Sequence, residues 1–263
     1  MDCILLAGGR PAPGEPLWED ARGAPKALLD IAGRPMIRWV LDALRAAEHI
    51  DRVVVVGLDA PLDDAPPGAP EASAAVEYVG DHGSLVANLY AGIERVTPAV
   101  PTAFCWSDIP LVTPAMIDRF IDDATDPTLD IDAGLVPRQL MQGRYPGADG
   151  PWLRTREGQF LASGFGLFHP GRAALARPHL EALMPQRKSA ARQARYLGIA
   201  FLLRFISGRM TVLRLEAHLL RRFGLRCRVR ILADPEFGLD VDDASNLALC
   251  RRVLADRWGL GGP

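Results

Sequence analysis

The chain has 263 residues, 49% hydrophobic and 24% charged, with a formal net charge of −2. That is enough chain for a sizeable core, and the overall charge points to no partner class. No run of about 18 uncharged apolar residues occurs, which excludes a transmembrane helix.

The first two-thirds alternates strand and helix signals. Residues 3–7 (CILLA) read as a short buried strand. Entry into this strand directly after Met1-Asp2 predicts a chain without a secretory leader, hence a cytoplasmic protein. Residues 36–47 carry Ile37, Val40, Leu41 and Leu44 at helical spacing, and 52–58 form a Val-rich strand. A Pro/Gly/Ala-rich stretch at 60–72 reads as a surface loop. A weaker strand at 74–79 and a helix at 84–96 follow, then a strand at 102–107. A helix at 113–124 opens with Thr113 as N-cap and Pro114 at its first position. Another strand is expected at 131–136. The alternation predicts an α/β fold, with a mainly parallel, Rossmann-like sheet and helices on both faces. Beyond residue 137 turn residues dominate. A hairpin-like excursion returns through a strand at 160–168. Helices at about 188–206 and 211–223 form a basic insertion near 186–225. A strand at 226–232 and a helix from Asp243 to about Arg257 close what reads as one domain, 1–263. Cys3, Cys105, Cys227 and Cys250 form no C-x-x-C pair and read as buried free thiols.

In an open parallel sheet, ligands bind at the carboxyl ends of the strands. Gly8-Gly9 follow the first strand there. Glycine lets the backbone approach a ligand with its N–H groups turned toward it, although a bare Gly-Gly is also a simple turn. The spacing fits neither the dinucleotide-binding nor the Walker A loop. Pro25-Lys26 then precede IAGRPMI. With these residues in place, LLAGGR…PKALLDIAGRPMIRWVLDAL resembles the opening of the GT-A-like nucleotidyltransferases. That group includes sugar-phosphate nucleotidyltransferases and the molybdenum-cofactor guanylyltransferase-like enzymes. The resemblance covers 3–58, 80–137 and 234–256.

The resemblance implies that the loop wraps a nucleoside triphosphate. Leu6, Ala7, Gly8 and Gly9 would meet base and ribose, and Arg10 and Lys26 the phosphates. The loop is longer than the family's compact form, so Arg22 is a second candidate for the arginine. Asp108, after the strand 102–107, is a turn-former on its own terms. The resemblance makes it a carboxylate ligand for Mg²⁺ and, with Lys26 and Arg10, part of the catalytic set. In EFGLDVDDASNLALC, Asp243 is most simply a helix N-cap. Asp240 and Asp242 share one strand face, where adjacent carboxylates repel unless a cation or solvent relieves them. The family pattern makes them the rest of the metal site. Gly80, Ser84 and Asn88 match the place where relatives read the base, and Ser84 is equally a helix start. His82 reads as a structural or exposed loop residue.

The implied chemistry is transfer of an NMP unit from an NTP to a small phosphorylated acceptor, with release of pyrophosphate. Gly134, Pro137, Arg138, Arg144, Tyr145 and residues 163–168 lie where an acceptor would sit, the arginines being equally readable as solvated. Residues 187–230 hold 12 of the 30 Lys and Arg but one acidic residue, Glu216. Such a segment suits a solvated or core helix pair, an anionic membrane surface or lipid-linked acceptor, or a small anionic ligand or partner protein. No aromatic interleaving or motif suggests nucleic acid. Two rivals keep the fold but change the chemistry: a non-catalytic nucleotide sensor or scaffold, and a glycosyltransferase using a sugar nucleotide. The base, the acceptor and the oligomeric state are not written in the sequence.

Overall fold

The structure is a computed structural model that describes residues 1–62, 74–183, 196 and 198–259. In chain order the strands are β1 (Asp2–Leu6), β2 (Asp30–Ile31), β3 (Arg34–Pro35), β4 (Arg52–Val56), β5 (Ala75–Val79), β6 (Thr102–Trp106), β7 (Ile131–Pro137), β8 (Leu153–Arg154), β9 (Gln159–Phe168) and β10 (Cys227–Ile231). The helices are α1 (Trp18–Ala21), α2 (Met36–Arg45), α3 (Leu85–Ile93), α4 (Pro114–Asp122), α5 (Arg138–Arg144), α6 (Ala173–Leu183), α7 (Ile199–Ile206), α8 (Val212–Phe223) and α9 (Ala244–Trp258).

The main sheet runs β10-β7-β9-β6-β1-β4-β5, with β8 paired to β9. All neighbours are parallel except at β9, which is antiparallel to β6, β7 and β8. The α/β expectation holds, with one reversed strand near the middle. The central strands are covered on both faces. Their continuous apolar runs, Cys3–Leu6 and Val53–Val56, are accordingly buried throughout. Cys3, Leu5, Val53 and Val55 face a large core built with Ile37, Leu41 and Leu44 of α2, Ile117 of α4 and Leu247 of α9. Ile4, Leu6, Val54 and Val56 face the other way, against Ala91 and Leu89 of α3. Phe120, Phe165 and Phe237 close the first core, with ring centroids 5.1–5.6 Å apart.

Local chemistry sets the ends of these elements. Ser84 caps α3 by accepting from Ala87 N, Thr211 caps α8 from Arg214 N, and Asp243 caps α9 from Asn246 N. Thr113 precedes α4 as expected, but its side chain makes no cap hydrogen bond, and Pro114 supplies the preset φ instead. Gly224 and Gly259 end α8 and α9 in the left-handed conformation.

The excursion after residue 137 is more helical than its turn residues predict. It contains α5 as well as the β8-β9 hairpin, and α6 follows where no helix is expected. α5 is short, and Gly143 within it mimics a turn signal. α6 carries Pro178 in its interior, which by propensity argues against a helix. Most of the 60–72 loop and the first part of the helix expected at 188–206 lie outside the described residues. The basic segment divides in two. Arg228 and Arg230 of β10 both turn onto the buried Asp132, at 2.6 and 2.8 Å, and Arg230 lies 4.0 Å over the Phe120 ring. The helical part differs. Ile199, Leu203, Ile206, Leu213 and Leu220 are 49–75% exposed. The four cysteines are free, as expected. Cys3, Cys105 and Cys250 are buried, and Cys227 is only partly so. Burial pushes the Cys227 and Cys250 thiols up to about 12. No described helix is long and apolar enough to cross a membrane.

Candidate active site

β1, β4 and β6 lie side by side and end at the same edge, because they are parallel and in register. Three connections therefore emerge together: the glycine loop after β1, the turn at Gly57 after β4, and Ser107-Asp108 after β6. A cleft of about 880 Å³ opens there.

The glycines make the approach of the first two connections feasible. Gly57 sits at φ +103°, and a Cβ there would come within 2.3 Å of the Gly8 backbone. A Cβ on Gly8 would fall 2.3 Å from the Asn88 side-chain nitrogen. Gly57 thus excludes any side chain, and one at Gly8 would have to displace the Asn88 amide. The sequence reading treats Gly57 only as part of a strand. The signal was present: a lone glycine closing a run of four valines marks a close backbone approach.

Lys26 is fixed from both ends. Its N–H donates to Gly9 O at 2.7 Å, which folds the long loop back onto its own start. Its ammonium donates to Asp108 Oδ2 at 2.5 Å and Asp242 Oδ1 at 2.6 Å. Burial alone would lower the Lys26 pKa, but the two carboxylates outweigh it and hold the group above its ordinary range. The acidic segment is docked by backbone bonds as well. Val241 N donates to Asp108 O at 2.9 Å, and Asn246 Nδ2 donates to Asp240 O at 2.8 Å. Residues more than 130 positions apart in sequence are thereby held around one ammonium.

Asp240 is the third carboxyl. Its burial and the neighbouring Asp108 and Asp242 charges push its pKa well up, with Lys26 opposing them. Asp108 Oδ1 and Asp240 Oδ1 are both buried without a hydrogen-bond partner. An orphaned carboxylate oxygen is costly unless something else fills its lone pairs. These atoms fit a hard cation such as Mg²⁺. Among the described residues no group of three or more acidic, His or Cys side chains is placed to hold a metal ion. Mg²⁺ commonly takes one or two carboxylates and completes its shell with water and substrate phosphates.

Leu6, Ala7, Gly8, Gly9, Arg10, Lys26, Ser84, Asn88, Asp108, Asp240 and Asp242 all line the cleft. Arg22 and Gly80 do not. Arg22 is exposed and ends α1 at φ 48°, while Gly80 lies near Asp59, beyond the wall. The long loop coils into α1 before returning, which carries Arg22 away. Arg10 donates to Gly23 O at 3.3 Å and Asp59 at 3.4 Å, in an exposed pairing of little energy. Ser84 is on the wall and also caps its helix. Asn88 is buried, donating to Asp81 at 2.9 Å and accepting from His82 N at 2.7 Å. Asn88 thus shapes the loop before α3, and His82 takes part through its backbone. Asp81, Trp106 and Ser107 are wall residues that the sequence reading does not single out.

The acceptor candidates are elsewhere occupied. Tyr145 donates to the buried Glu236 at 2.6 Å, and Arg138 bonds Gln159 and lies over the Trp152 ring. None of these is on the cleft wall.

Comparison with known proteins agrees with this geometry. Residues 3–193 match the MobA-like NTP transferase domain. A hypothetical transferase from Thermus thermophilus is 31% identical and superposes with a TM-score of 0.77, over 94% of this chain and 98% of that one. The CMP:2-keto-3-deoxy-manno-octonic acid synthetase solved with CTP shares the fold, at a TM-score of 0.57 and 16% identity over 98% of both chains. The bifunctional protein GlmU of Burkholderia orbicola is 35% identical over 129 residues, 48% of this chain. That match spans about a quarter of the GlmU chain, 26%. The sheet with its one reversed strand, the glycine loop tied to Lys26, and the match over most of the chain place this protein in the MobA-like NTP transferase family, as a nucleotidyltransferase.

Proposed function

We propose that this enzyme is one nucleotidyltransferase domain that moves an NMP unit from an NTP to the phosphate of a small acceptor, of the sugar, polyol or cofactor class. The observation that carries the reading is Lys26 held between Asp108 and Asp242 at the mouth of the glycine loop. A lysine so placed can exchange a carboxylate partner for a triphosphate oxygen with little movement of the backbone that fixes it.

The α-phosphorus is attacked by an oxygen of the acceptor phosphate. The new P–O bond forms as the bond to the α–β bridging oxygen breaks, and pyrophosphate leaves with that electron pair. A phosphate ionised at pH 7 needs no dedicated base, so the chain's contribution is positioning and charge neutralisation. Gly8 and Gly9 let the backbone approach the nucleotide, and Lys26 neutralises charge that develops on the phosphates. Asp108 with Asp240 or Asp242 would hold Mg²⁺, which supplies further neutralisation of the triphosphate when bound. The sensor and glycosyltransferase readings have no observation of their own. Asp108 stands in an S-D-I sequence, not the D-x-D of many sugar-nucleotide users.

A cytoplasmic location with contact at an anionic membrane surface belongs to the same reading. It is supported by the exposed apolar residues of α7 and α8 beside Arg204, Arg209, Arg214 and Arg221, for which no ion pair is found among the described residues. The reaction is tested by screening the four NTPs against sugar, polyol and cofactor phosphates, with and without Mg²⁺, for pyrophosphate release. Release that needs both a phosphorylated acceptor and Mg²⁺ is expected. Release without an acceptor, or none with any pair, counts against it.

A further inference from the structure

A second cavity of about 290 Å³ lies on the α3 side of the sheet, between β6, β9, α3 and α6. Its walls are almost wholly apolar, with Leu89, Phe104, Phe168 and Leu180 among them. It shares Leu6, Leu85 and Trp106 with the catalytic cleft. These three residues have a common address. Leu6 ends β1 just before the glycine loop, Leu85 follows Ser84, and Trp106 ends β6 two residues before Asp108. The cavity therefore adjoins the cleft at the strand ends where transfer takes place.

The few polar groups of this cavity are largely engaged with one another. Asp130 accepts from Arg172 at 3.1 Å and from Arg226 N at 2.8 Å, and its carbonyl accepts from His169 N at 3.0 Å. His169 Nδ1 is buried without a partner. Such a wall offers water little and an apolar group much. The space is at the lower end of ligand-pocket size and adjoins the cleft that holds Lys26, so an apolar group attached to a molecule in that cleft could enter it.

We propose that this cavity takes the apolar part of the acceptor, so that the acceptor is an amphiphile: a phosphate joined to an alkyl, acyl or isoprenoid group. This rests on the transferase reading above and narrows its acceptor class. The phosphate stays in the polar cleft near Lys26, and the chain passes between Trp106 and Leu85 into the cavity. The exposed apolar and arginine side chains of α7 and α8 are an independent feature of the kind expected where such a molecule is met at a membrane.

The test uses the full chain with NTP and Mg²⁺, and n-alkyl phosphates from ethyl to decyl below their micelle concentrations. Binding is read by calorimetry and transfer by pyrophosphate release. Affinity should rise by about fourfold per methylene until the cavity fills, then level off. Ala176→Phe and, separately, Leu180→Trp fill the cavity without touching the cleft. Either should remove most of the gain for octyl phosphate and leave ethyl phosphate and NTP binding unchanged. Equal affinity for ethyl and octyl phosphate in the unaltered protein overturns the proposal, whether or not the variants fold. So does a chain-length gain that persists in both folded variants, since it would come from the exposed helices. If ethyl phosphate supports transfer and the series is flat, the amphiphile falls and the transferase reading stands. If the series rises and is lost on filling, yet no acceptor releases pyrophosphate, the cavity assignment stands and the transferase reading falls.

Discussion

The crevice at the strand ends and the helix pair α7–α8 treat charge in opposite ways. In the crevice one ammonium serves two carboxylates, and a third is buried beside them. On the helices and the turn between them, exposed Arg204, Arg209, Arg214 and Arg221 accompany exposed Ile199, Leu203, Ile206 and Leu213. Net charge hides this contrast, because residues 187–230 hold 12 basic and one acidic residue while the rest of the chain holds 18 and 31. Under the proposed reaction, acidic groups crowd where a polyanionic substrate would come, an arrangement that calls for cations between them. The four arginines have no ion pair among the described residues.

The sharpest way to break this contrast is at β10, which belongs to the basic segment by sequence and to the paired region by structure. Asp132→Asn leaves Arg228 and Arg230 without their buried counter-charge. Stability should fall by about 3–5 kcal/mol, read from urea unfolding. A loss below 1 kcal/mol would mean that the β10 arginines are solvated like those of the helices. Next is Lys26→Ala, expected to lower turnover by roughly ten- to a thousandfold in a folded protein, or about 1.4–4 kcal/mol. The same variant should gain more thermal stability from added Mg²⁺ than the parent does, because its carboxylates have lost their internal cation. Unchanged turnover removes Lys26 from the chemistry.

Tyr145→Phe probes pairing away from the crevice. It strips the buried Glu236 of its donor, whose partner oxygen is already unpaired, and should cost about 1–3 kcal/mol in the same unfolding assay. The smallest stability effect belongs to the helices. Arg204→Gln, Arg209→Gln and Arg214→Gln should each stay within about 0.5 kcal/mol. Each should nevertheless weaken co-sedimentation with anionic vesicles about fivefold at low salt, since one basic residue near such a surface contributes about 1 kcal/mol. Equal sedimentation of the triple variant and the parent would leave the free arginines without a membrane role.

The parallel part of the fold was legible because its strands are short apolar runs separated by helical periodicity. Gly8 and Gly9 stood out as glycines at a strand end, whereas Lys26 and Asp108 acquired their roles through the family resemblance. The docking of Asp240 and Asp242 against Asp108 joins distant segments, and only the family resemblance brought them together beforehand. Arg22 was misplaced because the number of loop residues says nothing about their path, and the loop coils into α1. α5 and α6 were missed because Gly143 and Pro178 act as local breakers that packing overrides. Asp132 drew no notice, because a lone acid in a strand reads as surface until β10 is laid beside it.

The reversed strand β9 has a further consequence. It lies between β6 and β7, so β10 can join the sheet only at its far edge, where Arg228 meets Asp132 across 96 positions of chain. The connection from the end of β9 to β10 carries α6, α7 and α8, and the closure entropy of such a connection grows with the logarithm of its length, about 0.6 kcal/mol for each doubling. The crevice lies on the other side of β9, at β6, β1 and β4. Evolution can therefore lengthen, shorten or replace α7 and α8 at slight thermodynamic cost while the transfer machinery keeps its geometry.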